Sequence, residues 1–118
     1  SYRYSNLRLA SPTLAQGQSA TVSVDVENTG ARAGDEIVQV YVSDVVTSVT
    51  WVDKALKGYA RVHLEPGEKK TVQVALPYEA FQIVDAEGRS VVEPGEFEIR
   101  VGASSRERDL LRATLRAE

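Results

Sequence analysis

The chain has 118 residues, of which 42% are hydrophobic and 26% charged, and these values are typical of one globular domain with a single core. No apolar run approaches the ~20 residues that span a bilayer. The formal net charge is -3, and acidic and basic residues are interleaved without a basic surface for a phosphate backbone. We therefore expect neither a membrane nor a nucleic acid as a partner.

Cysteine and methionine are both missing from the sequence. The lack of cysteine excludes disulfide bonds and thiolate metal sites. The lack of cysteine does not identify the compartment. We expect a soluble protein that is either secreted or periplasmic, or cytoplasmic. The chain opens on Ser1, with no charged and apolar leader before its first strand, so we expect it to be a piece of a longer protein.

The first part of the chain predicts three strands. Leu7 and Leu9 alternate with polar residues, and Pro12 ends this strand because proline removes a ladder donor. Residues 21–28 alternate more strictly, with valines on one face and polar residues on the other. Residues 38–43 repeat this pattern, and β-branched valines suit such a half-buried strand.

A long loop is predicted over residues 45–57, which show neither alternation nor a helical period and carry the single tryptophan, Trp51. Strand character resumes over residues 58–64. The segment 65–68 supplies a turn, and residues 71–76 form the next alternating strand.

The last third of the chain predicts a helical turn at 77–80 and a hairpin over 81–92 with its turn at 85–88. Residues 96–101 alternate again, and residues 111–117 fit a final strand better than a short helix. Seven to eight short strands with Pro/Gly turns predict an all-β fold, a single antiparallel β-sandwich of the fibronectin type III/immunoglobulin kind over residues 1–118. A parallel sheet would need crossover helices.

Four segments in a fixed order carry a family resemblance, together with the opening strand YSNLRL (4–9). The four are GDEIVQVYVSD (34–44), ALKGYARVHLEPGEKKTV (55–72), IVDAEGRSVVEPG (83–95) and EFEIRVG (96–102). As a set they resemble the C-terminal fibronectin type III-like domain of glycoside hydrolase family 3, which contains β-glucosidases and β-xylosidases. The resemblance covers nearly the whole chain.

The resemblance implies a parent protein that hydrolyses glycosidic bonds. In that family the nucleophilic Asp and the acid/base Glu lie in preceding domains, so it implies no catalytic residue in this chain, which would be an accessory domain. The sequence departs from the family pattern in the long loop. Val45 follows Asp44 where proline is common, and Trp51-Val52 stands where Arg-Pro is common. Without the two proline rings we expect a less rigid loop.

Two pairs of carboxylates are catalytic candidates, Asp25/Glu27 and Glu96/Glu98. Residues two apart on a strand share a face and approach the ~5 Å separation of retaining glycosidases. An exposed face supplies neither a pocket nor a raised pKa, so a solvated surface is the favoured interpretation. His63 is the only histidine, and without a nucleophile motif or further metal ligands it is interpreted as a surface residue.

The remaining candidates are a turn and a set of aromatic residues. Asp85, Glu87 and Gly88 span too few residues for a calcium loop and are interpreted as turn residues. Trp51 either covers its own sandwich or contacts a partner, and intramolecular cover is slightly favoured. For the tyrosines at positions 41, 59 and 78 structural roles are favoured. The candidate interface residues are Asp44, Trp51, Lys54 and Tyr59.

Three hypotheses about function follow, and no cofactor is expected for any of them. The leading hypothesis is a stabilising module that packs on the catalytic domains of a family 3-like glycosidase. The alternative is a free-standing module that binds a carbohydrate or a protein through Trp51 and nearby tyrosines. A third hypothesis, that the chain is itself an enzyme, lacks a catalytic constellation in the sequence.

Overall fold

A computed structural model describes residues 2–44, 55–84, 87–92, 95–103 and 110–117. Strands dominate it, and a single 3-10 turn over Tyr78–Phe81 is the described helical element. The strands are β1 (Tyr2–Leu9), β2 (Thr13–Leu14), β3 (Ala20–Asn28), β4 (Gly34–Asp44), β5 (Ala55–Leu64), β6 (Lys69–Leu76), β7 (Ile83–Val84), β8 (Ser90–Val91), β9 (Gly95–Gly102) and β10 (Leu111–Ala117). Within the described ranges, the structure has no helix that is long and apolar enough to cross a membrane.

Two sheets face each other across the core. One has the strand order β1-β3-β6, the other has the order β2-β10-β9-β4-β5, and β7 and β8 form a separate hairpin. The predicted all-β sandwich is confirmed, and in the described part of the chain the seven strands longer than two residues pair with one another in an antiparallel sense. One local difference is the short strand β2, which was not predicted and which pairs with β10 in a parallel sense.

Valine alternation builds the core. Val22, Val24 and Val26 of β3 are all at most 1% exposed, and Val38 and Val40 of β4 are fully buried, so the strict period-2 pattern predicted the inward faces correctly. The two phenylalanines connect the five-stranded sheet to the 3-10 turn, because the rings of Phe81 and Phe97 pack edge to face with centroids 5.2 Å apart.

The predicted loop was too long at its C-terminal end. Strand β5 begins at Ala55, because Ala55 pairs with Val42 and Leu56 pairs with Tyr41. A register irregularity lies between these pairs and the Val40–Gly58 pair, which leaves Lys57 without an opposite residue. This bulge breaks the alternation on which the prediction relied. Residues 45–54 lie outside the described residues.

The helical turn predicted at 77–80 is present one residue later, as the 3-10 turn Tyr78–Phe81 after Pro77. The hairpin predicted over 81–92 is confirmed by the pairs Ile83–Val91 and Val84–Ser90. Its first strand is shorter than predicted, because Phe81 ends the 3-10 turn and directs its ring into the core.

Candidate docking surface

The outer face of the β4–β5 ladder is the most unusual surface of the described structure. In the register of this ladder, Ile37 lies opposite Arg61, Gln39 opposite Tyr59, and Tyr41 opposite Leu56. The alternate residues of both strands point into the core, so these side chains point away from it. Ile37, Leu56 and Tyr59 are 48%, 50% and 71% exposed.

An open groove borders this face at the edge of the sandwich, where β5 and β6 are the edge strands of their sheets. Its volume is about 360 Å³. The groove residues come from both strands and are Leu56, Lys57, Gly58, Tyr59, Val74 and Ala75. Gly58 brings the two strands together, because a Cβ there would lie 2.8 Å from Leu76 Cδ2 and 2.9 Å from Val74 Cγ1.

The outer face of the five-stranded sheet is polar and largely covered beside this ladder, over β4, β9 and β10. Glu98 accepts a hydrogen bond from Arg100 at 3.0 Å and pairs with Arg112 at 3.6 Å. Tyr41 is buried and its hydroxyl donates to the Gln39 side chain. Next to it Ser43 is 2% exposed, and its hydroxyl has no hydrogen-bond partner among the residues that the structure describes.

Charged side chains form the rim at the other end of the ladder. His63 Nδ1 lies 2.7 Å from Asp35 Oδ1, and Arg61 lies 3.0 Å from the second Asp35 oxygen. The hydrogen bond with Asp35 raises the pKa of His63, and the same bond lowers the pKa of Asp35. His63 Nε2 is also 3.7 Å from Glu65. His63 is exposed, as its interpretation as a surface residue requires.

The first carboxylate pair of the sequence lies on the outer face of the other sheet, on β3. Asp25 accepts hydrogen bonds from Thr71 at 2.8 Å and from Asn6 at 3.2 Å, and it pairs with Arg8. These contacts, chiefly the bond from Thr71, lower the pKa of Asp25. A catalytic acid needs the opposite shift. Glu27 pairs with Arg3 at 3.6 Å.

The second pair is divided between different partners. Glu96 lies 3.9 Å from Arg116, whereas Glu98 belongs to the Arg100 and Arg112 cluster. Both pairs therefore lie on strand faces among cations. In the part of the chain that the structure describes, no group of three His, Asp or Glu side chains is arranged to hold a metal ion.

The turn residues of the calcium candidate are described only in part. Gly88 has φ +81°, a conformation that favours glycine, and Glu87 pairs with Arg89 at 3.3 Å. Both observations agree with the interpretation as a turn. Asp85 lies outside the described residues.

The candidate interface residues separate into two groups. Asp44 is the last residue of β4 and Tyr59 lies on β5, whereas Trp51 and Lys54 lie outside the described residues. Tyr41 is buried and Tyr78 packs against the core, as structural tyrosines do. For Tyr59 a buried structural role was wrong, because it lies on the outer face and is 71% exposed.

Sequence reasoning missed Ile37 and Leu56 as members of this surface. Ile37 carries a weak signal, since an apolar residue stands at a position that the alternation of Val38, Val40 and Val42 assigns to the polar face. Leu56 gave no such signal because the bulge at Lys57 hides its strand.

Two facing sheets of short, mostly antiparallel strands define a β-sandwich domain of the immunoglobulin and fibronectin kind. Residues 36–105 match the family of fibronectin type III-like domains. This match spans more than half of the chain, and the chain belongs to that family.

Relatives place such a domain in glycosidases. The chain is 44% identical over 114 residues to a beta-xylosidase from Formosa agariphila, covering 97% of this chain and 16% of that protein. It is 42% identical over 107 residues to thermostable beta-glucosidase B from Acetivibrio thermocellus, covering 90% of this chain and 14% of the relative. The chain thus spans only a small part of the curated relatives it matches.

Solved structures agree with these sequence matches. A beta-glucosidase involved in saponin metabolism from intestinal bacteria superposes with a TM-score of 0.89 at 42% identity, covering 100% of this chain and 16% of that one. A beta-D-glucoside glucohydrolase from Trichoderma reesei superposes with a TM-score of 0.83 at 29% identity, covering 100% and 19%. The predicted resemblance to the fibronectin type III-like domain of β-glucosidases and β-xylosidases is confirmed.

Proposed function

We propose that this chain is the non-catalytic accessory module of a family 3-like glycoside hydrolase, and that its parent hydrolyses O-glycosidic bonds such as those of β-glucosides. One observation carries the proposal: the match to a beta-xylosidase covers 97% of this chain but 16% of the relative. In this proposal the module contributes packing, and the chemistry belongs to the larger part of the parent.

The described side chains support a packing role. The carboxylates of Asp25, Glu27, Glu96 and Glu98 are engaged by cations on sheet faces, whereas the β4–β5 ladder exposes large apolar side chains. Interfaces between domains of one chain bury roughly 600–1,500 Å² and mix polar with apolar groups. The outer face of the ladder has this mixed composition. The acidic net charge of -3 gives no support to a nucleic-acid partner.

The test is removal of this domain from the parent enzyme. We expect the truncated parent to unfold at a lower temperature and to lose activity on an aryl β-glucoside or β-xyloside during incubation near that temperature. The comparison uses the intact parent at equal concentration, followed by calorimetry and by residual activity. Unchanged unfolding and unchanged activity of the truncated enzyme would contradict the proposal.

Tyr59 supports the alternative of a carbohydrate-binding module. Its ring is exposed and lies opposite Gln39 on the outer face, and an exposed aromatic ring offers a large apolar face together with a polar group for contact with a ligand. Titration of this domain with soluble glucans and xylans decides between the two functions. Saturable binding that Tyr59→Ala abolishes would favour the alternative, and its absence would favour packing.

A further inference from the structure

The exposed apolar side chains of the described structure are concentrated on one face. Among the residues that the structure describes, three large hydrophobic side chains are more than about two fifths exposed, Ile37, Leu56 and Tyr59, and all three lie on the outer face of the β4–β5 ladder. Single exposed apolar residues are normal on a protein surface, but grouped ones mark sites of association. Their grouping on two neighbouring strands therefore indicates that this face is a site of association.

Lys57 adds a charge at the edge of this face. It lies between Leu56 and Tyr59 in the sequence, lines the groove at the edge of the ladder, and is exposed. No ion pair engages Lys57 among the residues that the structure describes, whereas Arg61 on the same strand already pairs with Asp35. A cation beside apolar side chains favours a partner with a carboxylate at the matching position.

We infer that the outer face of the β4–β5 ladder docks on another domain of the parent chain, against an apolar surface that places a carboxylate near Lys57. This inference rests on the proposed function. The occupant is a domain of the same chain because the relatives are much longer than this domain, which covers 16% of the beta-xylosidase. A domain held by a short linker has a high effective concentration, so a modest apolar face suffices for stable contact.

Thiol labelling in the full parent enzyme tests this surface. This domain contains no cysteine, so Tyr59→Cys places a thiol on the proposed face. Gln73→Cys is the matched control, because Gln73 is an exposed residue of an edge strand on the outer face of the other sheet. Labelling with a maleimide is followed by mass spectrometry, with the unsubstituted parent as background and urea-unfolded samples as the reference for full reactivity.

The expected result is labelling at position 59 at least about tenfold slower than at position 73 in the folded parent, because buried sites react through local opening. Equal rates, with the parent unfolding in one calorimetric transition, would overturn the assigned face and leave the accessory function intact. Equal rates with this domain unfolding in its own transition would contradict both.

Two other occupants have distinct signatures. Protection that increases with protein concentration would indicate a second copy of the chain, and protection that requires an added oligosaccharide would indicate a sugar site. Either result would overturn the inference. Charge reversal gives an independent test: Lys57→Glu should lower the unfolding temperature of the parent more than Lys69→Glu, which changes an exposed lysine of β6. Equal effects would contradict the role of Lys57.

Discussion

His63 and Asp35 form an ion pair across the β4–β5 ladder, with Nδ1 of the imidazole 2.7 Å from a carboxylate oxygen. Their hydrogen bond raises the pKa of His63 from 6.5 and lowers that of Asp35 from 3.8. The contribution of His63 to stability is complete below pH 6.5 and is lost as pH rises through its raised pKa. The contribution of Asp35 is present above pH 3.8 and is lost as pH falls through its lowered pKa.

The single histidine makes this pair measurable by NMR titration of the imidazole protons. We expect Asp35→Asn to lower the pKa of His63, because the main cause of its shift is removed. Glu65→Gln should lower it less, since Glu65 lies farther away, at 3.7 Å from Nε2. The ion pair would be refuted by a His63 pKa that does not change in Asp35→Asn.

At the edge of the sandwich, position 58 has too little space for a side chain larger than that of glycine. A Cβ there would lie under 3 Å from side-chain atoms of Leu76 and Val74, both buried in the core. We expect Gly58→Ala to lower the free energy of unfolding by about 1–3 kcal/mol, as overpacking of a core does. Urea denaturation of the isolated domain measures this change.

Gly34→Ala is the control for that substitution. Its Cβ would meet the terminal hydroxyl of Tyr2, at the end of a side chain that can rotate. We expect a smaller loss than for Gly58→Ala, and an equal or larger loss would show that contact with the core is not what limits position 58.

We expect the side chain of Asn28 to make a large contribution to the free energy of unfolding. It is 1% exposed, and its amide donates to the carbonyl oxygens of Arg32 at 2.8 Å and Leu64 at 3.1 Å. Its side-chain oxygen accepts from the Gly30 N–H at 2.9 Å. We expect Asn28→Ala to cost about 2–4 kcal/mol, since one buried and two partly buried backbone groups lose their partner. Thermal unfolding of the isolated domain checks this.

Replacement of Asn28 by aspartate distinguishes the contribution of the amide oxygen from that of the amide nitrogen. Asn28→Asp keeps the acceptor for Gly30 but turns the donor toward Arg32 and Leu64 into an acceptor. It should be at least as destabilising at neutral pH as Asn28→Ala, and it should recover partly at acidic pH, where a protonated carboxyl donates again. A neutral effect of both variants would contradict the three hydrogen bonds of the Asn28 side chain.

Tyr4 and Glu36 connect the two sheets, because the Tyr4 hydroxyl on β1 donates to a Glu36 oxygen on β4 at 3.0 Å. Burial, and then the Glu36 carboxylate, raise the pKa of Tyr4. We expect Tyr4→Phe to cost about 1 kcal/mol through the lost hydrogen bond. Glu36→Gln keeps an acceptor and should cost less, as measured by urea denaturation. The reverse order would contradict a role for this hydrogen bond.

The sequence could predict those elements whose burial follows strand periodicity. Val22, Val24 and Val26 identified the inward face of β3, and the alternation after Leu111 identified β10 over a competing helix. The pattern could not predict β2, because a strand of two residues has no period, and its partner at Arg116 and Ala117 lies about a hundred residues away.

The candidate site was predictable only in part for a related reason. Tyr59 was named from its residue type, but its exposure depends on which elements pack over β5, and that information is nonlocal. Leu56 could not be identified, because the bulge at Lys57 shifts the alternation by one residue and conceals the start of the strand.

The bonds around Asn28 also determine how the sandwich opens. Its backbone N–H donates to Glu68 O at 2.9 Å and its carbonyl accepts from Gly67 at 2.9 Å, while its side chain holds Arg32 and Leu64. The β3–β4 and β5–β6 connections are thus fastened to one residue and cannot fray independently. In amide hydrogen exchange, the N–H groups of Asn28, Gly30 and Gly67 should become exchangeable together, in one cooperative event that separates both connections.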